Sequence, residues 1–316
     1  MCGRHGWGAA ASARAAVSSR GARNGERRGP GGGAVTAEGA RHAGVEQLAG
    51  IVYAYTIPGV IAVNAGIIVG DDAVAVVDTG TTEADARALL RAAASVTERP
   101  VRYVVNTHHH GDHSFGNWWF LPAVVVGHAR CRWRLVGEQG ASHRETLATH
   151  LPMLREQLVA LPLAPPALTF EQYCDLHLGG VSLRLAYLGR AHTDNDIAVG
   201  IDGADVAFAG DLVEESGPPI VGDGYPAEWG PTLRKLGAAA VDRFVPGHGR
   251  MVDATFVAAQ AEAFEALSAV CAAAGGGAGR AAAALDALPR AVRDVLDAQA
   301  PAAVRRYFET ASAARA

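Results

Sequence analysis

From residue 51 onward, short apolar runs rich in β-branched residues alternate with Gly, Pro and Asp. IVYAYT (51–56), AGIIVG (65–70) and AVAVVD (73–78) each predict a strand, and VRYVVN (101–106) and VVVGH (124–128) predict two more, both buried. Between them lies a helix that Thr81 or Thr82 can cap. Glu83 and Asp85 suit its positive end, and Ala86, Leu89, Leu90 and Ala93 share one face. Residues 128–162 read as helical with interruptions at Gly137, Gly140 and Pro152, and LPLAPPALTF (161–170) reads as a loop. Strands follow at 181–189, 196–201, 205–210 and 243–247, with helices at about 226–240 and 253–272. Past GGGAG (275–279) the pattern predicts two short Ala-rich helices. Two blocks of strands, each followed by helices, predict a layered α/β domain.

The first 44 residues do not fit that texture. They are rich in Arg, Gly and Ala and nearly devoid of branched aliphatics, so they cannot bury enough apolar surface to offset their ordering entropy. Disorder is the expectation for 1–44. The segment lacks the apolar core of a secretory signal, and its Arg-rich, acid-poor composition is that of a transit peptide or a plain solvated tail. The expected organisation is this tail, a catalytic domain over 45–272 with a helical insertion at 128–162, and a C-terminal helical extension over 273–316.

Charge divides along the same boundary. Seven arginines against Glu26 and Glu38 give residues 1–44 a charge of +5, which leaves −9 on the rest of a chain whose total is −4. A body that acidic is a poor match for a phosphate backbone, so no nucleic-acid partner is expected. No run reaches 18 uninterrupted apolar residues, so no membrane span is expected either. Cys2, Cys131, Cys174 and Cys271 are scattered without a C-x-x-C spacing. That pattern argues against a disulfide framework and a thiolate metal site, and fits a reduced, cytoplasmic protein.

The chemistry concentrates directly after the strand VRYVV, in NTHHHGDH (106–113). His108, His110, Asp112 and His113 put three imidazoles and a carboxylate in one loop at a strand end, ligand types that suit zinc and neighbouring transition metals. Three later loops repeat the theme. His192 lies in GRAHTDND, Asp211 in AGDLV and His248 in VPGHG, each closing an apolar strand where side chains can converge at one sheet edge.

The motif T-H-x-H-x-D-H, followed in order by a His, an Asp and a final G-H, and preceded by a strand ending in Asp78, resembles the metallo-β-lactamase superfamily over about residues 50–250. The resemblance implies a four-layer αββα sandwich with a metal site at one edge. It also implies that His108, His110 and His192 hold one metal, that Asp112, His113 and His248 hold a second, and that Asp211 bridges them. Two Zn²⁺ per chain are expected, with iron or manganese as substitutes. A bridging hydroxide then attacks a small ester, thioester, lactone or amide, and Asp112 orients it and passes its proton onward. Asp78 is expected to accept hydrogen bonds that hold the ligand loop, and His109 to point away from the metals.

Asp211 separates this chain from true zinc β-lactamases, which generally carry Cys or Ser there. His110 stands where flavodiiron reductases have Glu. Thioesterases, lactonases, nucleases and phosphodiesterases of the superfamily share all seven ligands. A mononuclear iron persulfide dioxygenase is the alternative with a different chemistry, and a phosphodiesterase or nuclease is the alternative within hydrolysis. In the insertion, Trp133, Leu135, Leu147, Leu151, Met153, Leu154 and Leu158 suggest an apolar lid over a hydrophobic acyl or ring group. Trp118, Trp119, Tyr225 and Trp229 flank the motif loops as candidate pocket walls. His128, His143, His150 and His177 match no motif and are expected at the surface or in local hydrogen bonds; His5 and His42 belong to the tail.

Overall fold

The computed structural model describes residues 44–275 and 279–313; residues 1–43, where the disordered tail is expected, lie outside them. Four antiparallel strands open the first sheet: β1 (Val45–Ala49), β2 (Val52–Ile57), β3 (Val63–Val69) and β4 (Val74–Val77). Helix α1 (Glu83–Val96) then crosses to β5 (Val101–Val105), which runs parallel to β4. The short helix α2 (Gly111–Ser114) leads to β6 (Val124–His128). Helices α3 (Ala129–Leu135), α4 (Gly137–His150) and α5 (Arg155–Ala160) form the insertion before β7 (Leu168–Phe170) completes the seven-stranded sheet.

The second sheet has six strands. It begins with the meander β8 (Tyr173–His177), β9 (Ser182–Tyr187), β10 (Ile197–Ile201) and β11 (Val206–Gly210), then crosses through α6 (Pro226–Gly237) to the parallel β12 (Arg243–Pro246) and ends at β13 (Val252–Asp253). Helices α7 (Ala254–Ala273), α8 (Arg280–Ala287), α9 (Arg290–Leu296) and α10 (Ala300–Ala313) follow.

The strands alternate in a way that builds four layers. In β4 every residue is buried, because both faces are covered. Ala75 and Val77 join Ile68, Val105 and Val126 in facing the second sheet, while Val74 and Val76 face α1 with Ile67, Val104 and Val125. The second sheet repeats the rule. Ile197, Val199, Val206 and Phe208 point inward, and Ala198, Ala207 and Ala209 point to α6 and α7. Small residues on that outer side let the Ala-rich helices approach closely. Gly66 has the same role between the sheets, since a Cβ there would lie 2.7 Å from the Phe208 ring. The result is the αββα sandwich.

Several elements differ from the sequence expectation. Thr82, not Thr81, caps α1, in a reciprocal box with Asp85. The loop read over 161–170 ends in β7, which pairs with β6, and β1, β8 and β13 form at sheet edges where alternation is weak. In β8 only Leu176 is buried, so its apolar signal was too sparse to read. Within 128–162 the chain breaks at Gly137 and Pro152, whereas Gly140 sits inside α4. The C-terminal segment makes three α-helices, not two. Ala284, Leu288, Val292, Leu296, Ala303 and Val304 share one core with α6, α7 and the outer face of the second sheet.

Helix α7 has the length and hydropathy of a membrane span, with a mean hydropathy of 1.3. Its apolar face is in use, however. Val257, Ala261, Phe264 and Leu267 are buried in that same core, and Glu262 and Glu265 pair with Arg234.

Because the last helices share this core, Leu296→Ala, at a fully buried position, should lower unfolding stability by about 2–5 kcal/mol. Urea unfolding of the full chain checks this, and an unchanged midpoint would show that the last helices do not support the core.

Candidate metal centre

Four loops at one edge of the sandwich carry the chemistry. The loop after β5 brings His108, His110, Asp112 and His113; the β9–β10 loop brings His192; the ends of β11 and β12 bring Asp211 and His248. All seven residues predicted from the motifs meet there. His108, His110, His192 and Asp211 place one donor atom each within 4.8 Å of one another, and Asp112, His113 and His248 do the same. Asp211 stands between the two groups. Its Oδ2 lies 3.7 Å from His108 Nε2, 3.4 Å from His192 Nε2 and 3.5 Å from His248 Nε2, and its Oδ1 lies 3.3 Å from His113 Nε2.

The outer nitrogens of the five imidazoles decide what the inner ones can do. His113 Nδ1 lies 2.8 Å from Asp78 Oδ2, His192 Nδ1 3.0 Å from the Ile220 carbonyl, and His248 Nδ1 2.7 Å from the Ala62 carbonyl. His110 Nε2 lies 3.1 Å from Asp223 Oδ1. His108 Nδ1 lies 3.1 Å from Thr107 Oγ1, whose own proton is committed to Asp78 Oδ2 at 2.7 Å. Each partner accepts, so the outer nitrogen is where each ring keeps its proton when the imidazole is neutral. In that neutral form the inner nitrogens are lone pairs, and they face one another. His110 Nδ1 is 2.9 Å from His192 Nε2, and His113 Nε2 is 3.3 Å from His248 Nε2. Buried His108 Nε2 and Asp211 Oδ1 find no hydrogen-bond partner among the described residues. Facing lone pairs and buried, unpartnered donors are what a cation would satisfy, and the all-nitrogen and oxygen set fits a divalent metal pair.

The electrostatics point the same way. Burial pushes His108 and His192 down, His192 to about 4, so both stay neutral. Burial also opposes charge on His113 and His248, but Asp211 and Asp112 outweigh it and hold His248 up at about 11. Burial would raise Asp112 and Asp211; His113 and its neighbours instead hold both well below the usual carboxylate range. The cluster attracts positive charge, as protons or as metal.

Asp78 is the anchor expected of it. At the end of β4 it takes a left-handed backbone with φ 60°. Its Oδ1 accepts from the Thr107 amide at 2.8 Å, while its Oδ2 serves both the Thr107 hydroxyl and His113. His109 turns away from the cluster, as expected: Asn195 Nδ2 donates to its Nδ1 at 3.0 Å, and its Nε2 faces Asp223.

The apolar lid is not what the structure contains. Leu135 and Leu158 are buried with Phe115, Cys131 and Ala148 in a small core beneath the insertion, and Leu147, Leu151 and Leu154 pack against it. Trp133 and Met153 are exposed. The face of α4 turned to the site is polar, since Gln139, Ser142, His143 and Thr146 follow one helical stripe. With Arg134, His109 and Asp223 they line a pocket of about 150 Å³. The insertion resolves its amphipathicity by burying its leucines against its own helices.

The aromatic candidates divide. Trp229 is buried, donates to the Leu212 carbonyl at 2.9 Å, stacks on Phe264 and lies edge-on to His192. It packs against His192, a candidate ligand, and is no pocket wall. Trp118 is exposed, and Trp119 packs against the cores around α1 and the insertion. Tyr225 is flanked by the guanidinium groups of Arg190 and Arg306. His128, His150 and His177 make the local hydrogen bonds expected of them. His143 does not; its ring lies nearly parallel to that of His110 at 5.8 Å, and burial holds it down at about 4. His143 and Asp223 are the site residues that sequence reading missed, because neither closes an apolar strand.

A sequence profile described as the metallo-beta-lactamase superfamily matches residues 58–248. Among solved structures the chain is similar to a metallo-beta-lactamase from Pontibacter korlensis, at 20% identity and a TM-score of 0.53 over 67% of this chain and 94% of that one. It is also similar to a metallo beta lactamase from Erythrobacter litoralis, at 23% identity and a TM-score of 0.54 over 71% of this chain and 98% of that one. At these identities the likeness is one of fold.

The crowding around Asp211 supplies a test. A Cβ on Gly247 would lie 1.8 Å from Asp211 Oδ1 and 2.8 Å from His113 Cε1, whereas one on Gly237 meets only Val257 at 3.7 Å. Gly247→Ala should weaken metal binding by about tenfold or more, read by titration against a competing chelator, and Gly237→Ala should leave it unchanged.

Proposed function

The chain belongs to the metallo-beta-lactamase superfamily, and we propose that it is a metal-dependent hydrolase acting on a small ester, thioester, lactone or amide. The observation that carries this reading is the carboxylate of Asp211, set between two groups of imidazoles whose inner nitrogens converge on it. His108, His110 and His192 would hold one divalent ion, and Asp112, His113 and His248 a second, with Asp211 shared. Zinc suits the donor set, and iron and manganese accept the same ligands. When bound, such ions supply Lewis acidity toward a carbonyl and lower the pKa of water toward neutrality.

The chain's own residues do the rest. His108 and His113 are fully buried and His192 nearly so, and they exclude bulk water from the floor of the site. Asp112, His110 and His248 are the partly exposed members, with side-chain exposures of 13%, 22% and 14%, so substrate enters over them. Asp112 stays ionised, because His113 and His248 outweigh its burial. At the mouth its carboxylate can accept a hydrogen bond from the attacking water and orient it toward the carbonyl carbon. The wall beside His110 offers Arg134, Gln139, Ser142 and Thr146 as hydrogen-bonding groups, so the substrate side held there is hydrophilic. The charge of −9 on residues 45–316 disfavours polyanions and supports a carbonyl over a nucleic-acid substrate.

Zinc-loaded protein should hydrolyse at least one member of a panel of aryl esters, thioesters, lactones, β-lactams and phosphodiesters without consuming oxygen, and chelation should abolish that activity. Short, polar carbonyl substrates should outperform long-chain acyl ones and phosphodiesters. A preference for phosphodiesters would move the protein to the nuclease branch. Activity restricted to iron-loaded protein, with oxygen consumed in proportion to a persulfide, would replace hydrolysis by dioxygenation.

A further inference from the structure

Asp223 lies in the loop between β11 and α6, outside every motif that marks the candidate ligands. Its Oδ1 is 3.1 Å from His110 Nε2 and its Oδ2 is 3.6 Å from His109 Nε2. A carboxylate only accepts, so this contact keeps the His110 proton on Nε2 and leaves Nδ1 as the lone pair that faces His192. His110 needs such a hold more than its neighbours do. It is the most exposed of the five imidazoles, and Asp223 is the only hydrogen-bond partner of its outer nitrogen among the described residues. The same loop also supplies Ile220, whose carbonyl fixes the outer nitrogen of His192.

What holds this loop comes from the far end of the chain. Arg306, on α10, donates from Nη2 to the Asp223 carbonyl at 3.0 Å and from Nε to the Gly224 carbonyl at 2.8 Å. Its guanidinium also lies 5.7 Å from the centre of the Tyr225 ring. The Tyr225 amide donates to the Ala191 carbonyl at 2.7 Å, one residue before His192. Helix α10 is itself fixed, because Ala303 and Val304 are buried in the outer core. A contiguous set of contacts thus runs from the C-terminal core through Arg306 and the 223–224 backbone to His110.

We propose that Asp223 is the positioning residue of His110, held in place by Arg306, so that the last helix sets metal affinity at the His108–His110–His192 group. The proposal rests on the metal-centre reading above. It differs from the alternative that Asp223 is itself a ligand, with His109 and His110, of a further ion; those three side chains also place donor atoms within 4.8 Å of one another.

Cobalt(II) titration of the full chain against a competing chelator, with the visible spectrum recorded, separates these cases. Asp223→Ala should weaken one of two equivalents about 10- to 100-fold and alter its spectrum while the other is unchanged. Asp223→Asn, which keeps an acceptor oxygen, should fall between Asp223→Ala and wild type. Arg306→Ala should weaken the same equivalent, and Arg306→Lys, able to donate to the loop, should restore part of the loss. The metal-free proteins should unfold with midpoints near wild type for the Asp223 variants, since that side chain is 38% exposed. Wild-type affinity and spectrum in Asp223→Ala would overturn the proposal while leaving the metal centre intact. A third equivalent in wild type that is lost in Asp223→Ala, with the other two unaltered, would make Asp223 a ligand instead. A wild-type protein that takes up no cobalt would overturn this proposal together with the reading on which it rests.

Discussion

Imidazole nitrogens brought face to face repel unless a cation, proton or metal, lies between them, and the site depends on holding them so. Each of the five imidazoles is committed through its outer nitrogen to Asp78, Asp223, Thr107 or a backbone carbonyl, which removes the option of moving the proton inward. Two carboxylates then add negative charge to a pocket from which water is largely excluded. Such a cluster is unfavourable by itself and favourable around cations, so its cost is carried by the packing of the surrounding sandwich.

The sandwich meets that demand through its topology. Each sheet joins an antiparallel meander to a parallel crossover, and the crossovers through α1 and α6 put the ends of β4, β5, β11 and β12 on one edge. Asp78, the His108–His113 loop, Asp211 and His248 follow from those four strand ends. Their backbones are fixed by ladders buried on both faces, so the polar loops inherit a rigid frame. Asn64 adds a clasp across the sheets, donating to the carbonyls of Pro246 and Gly249 on either side of His248.

Around this frame the chain uses two additions differently. The insertion after β6 buries its leucines in a core of its own and turns polar groups to the site. The C-terminal helices join the outer core of the second sheet and reach the loop of Asp223 through Arg306. Neither addition supplies a candidate ligand, yet both bear on the ligands.

The sequence by itself determined the central strands, helix α1 and the seven candidate donors. Those features are local: buried strands show as β-branched runs, and each donor directly follows such a run. It could not show β8 or β1, since edge strands bury too few residues to leave a period, nor that the insertion's leucines pack beneath it and not over the site, since an apolar stripe does not state which surface it will cover. Only the tertiary structure decided which face of α4 meets the site, and that Asp223, whose carbonyl accepts from Arg306 83 residues away, meets His110. These are contacts between segments distant in the chain, fixed by how whole layers pack, and no local pattern encodes them.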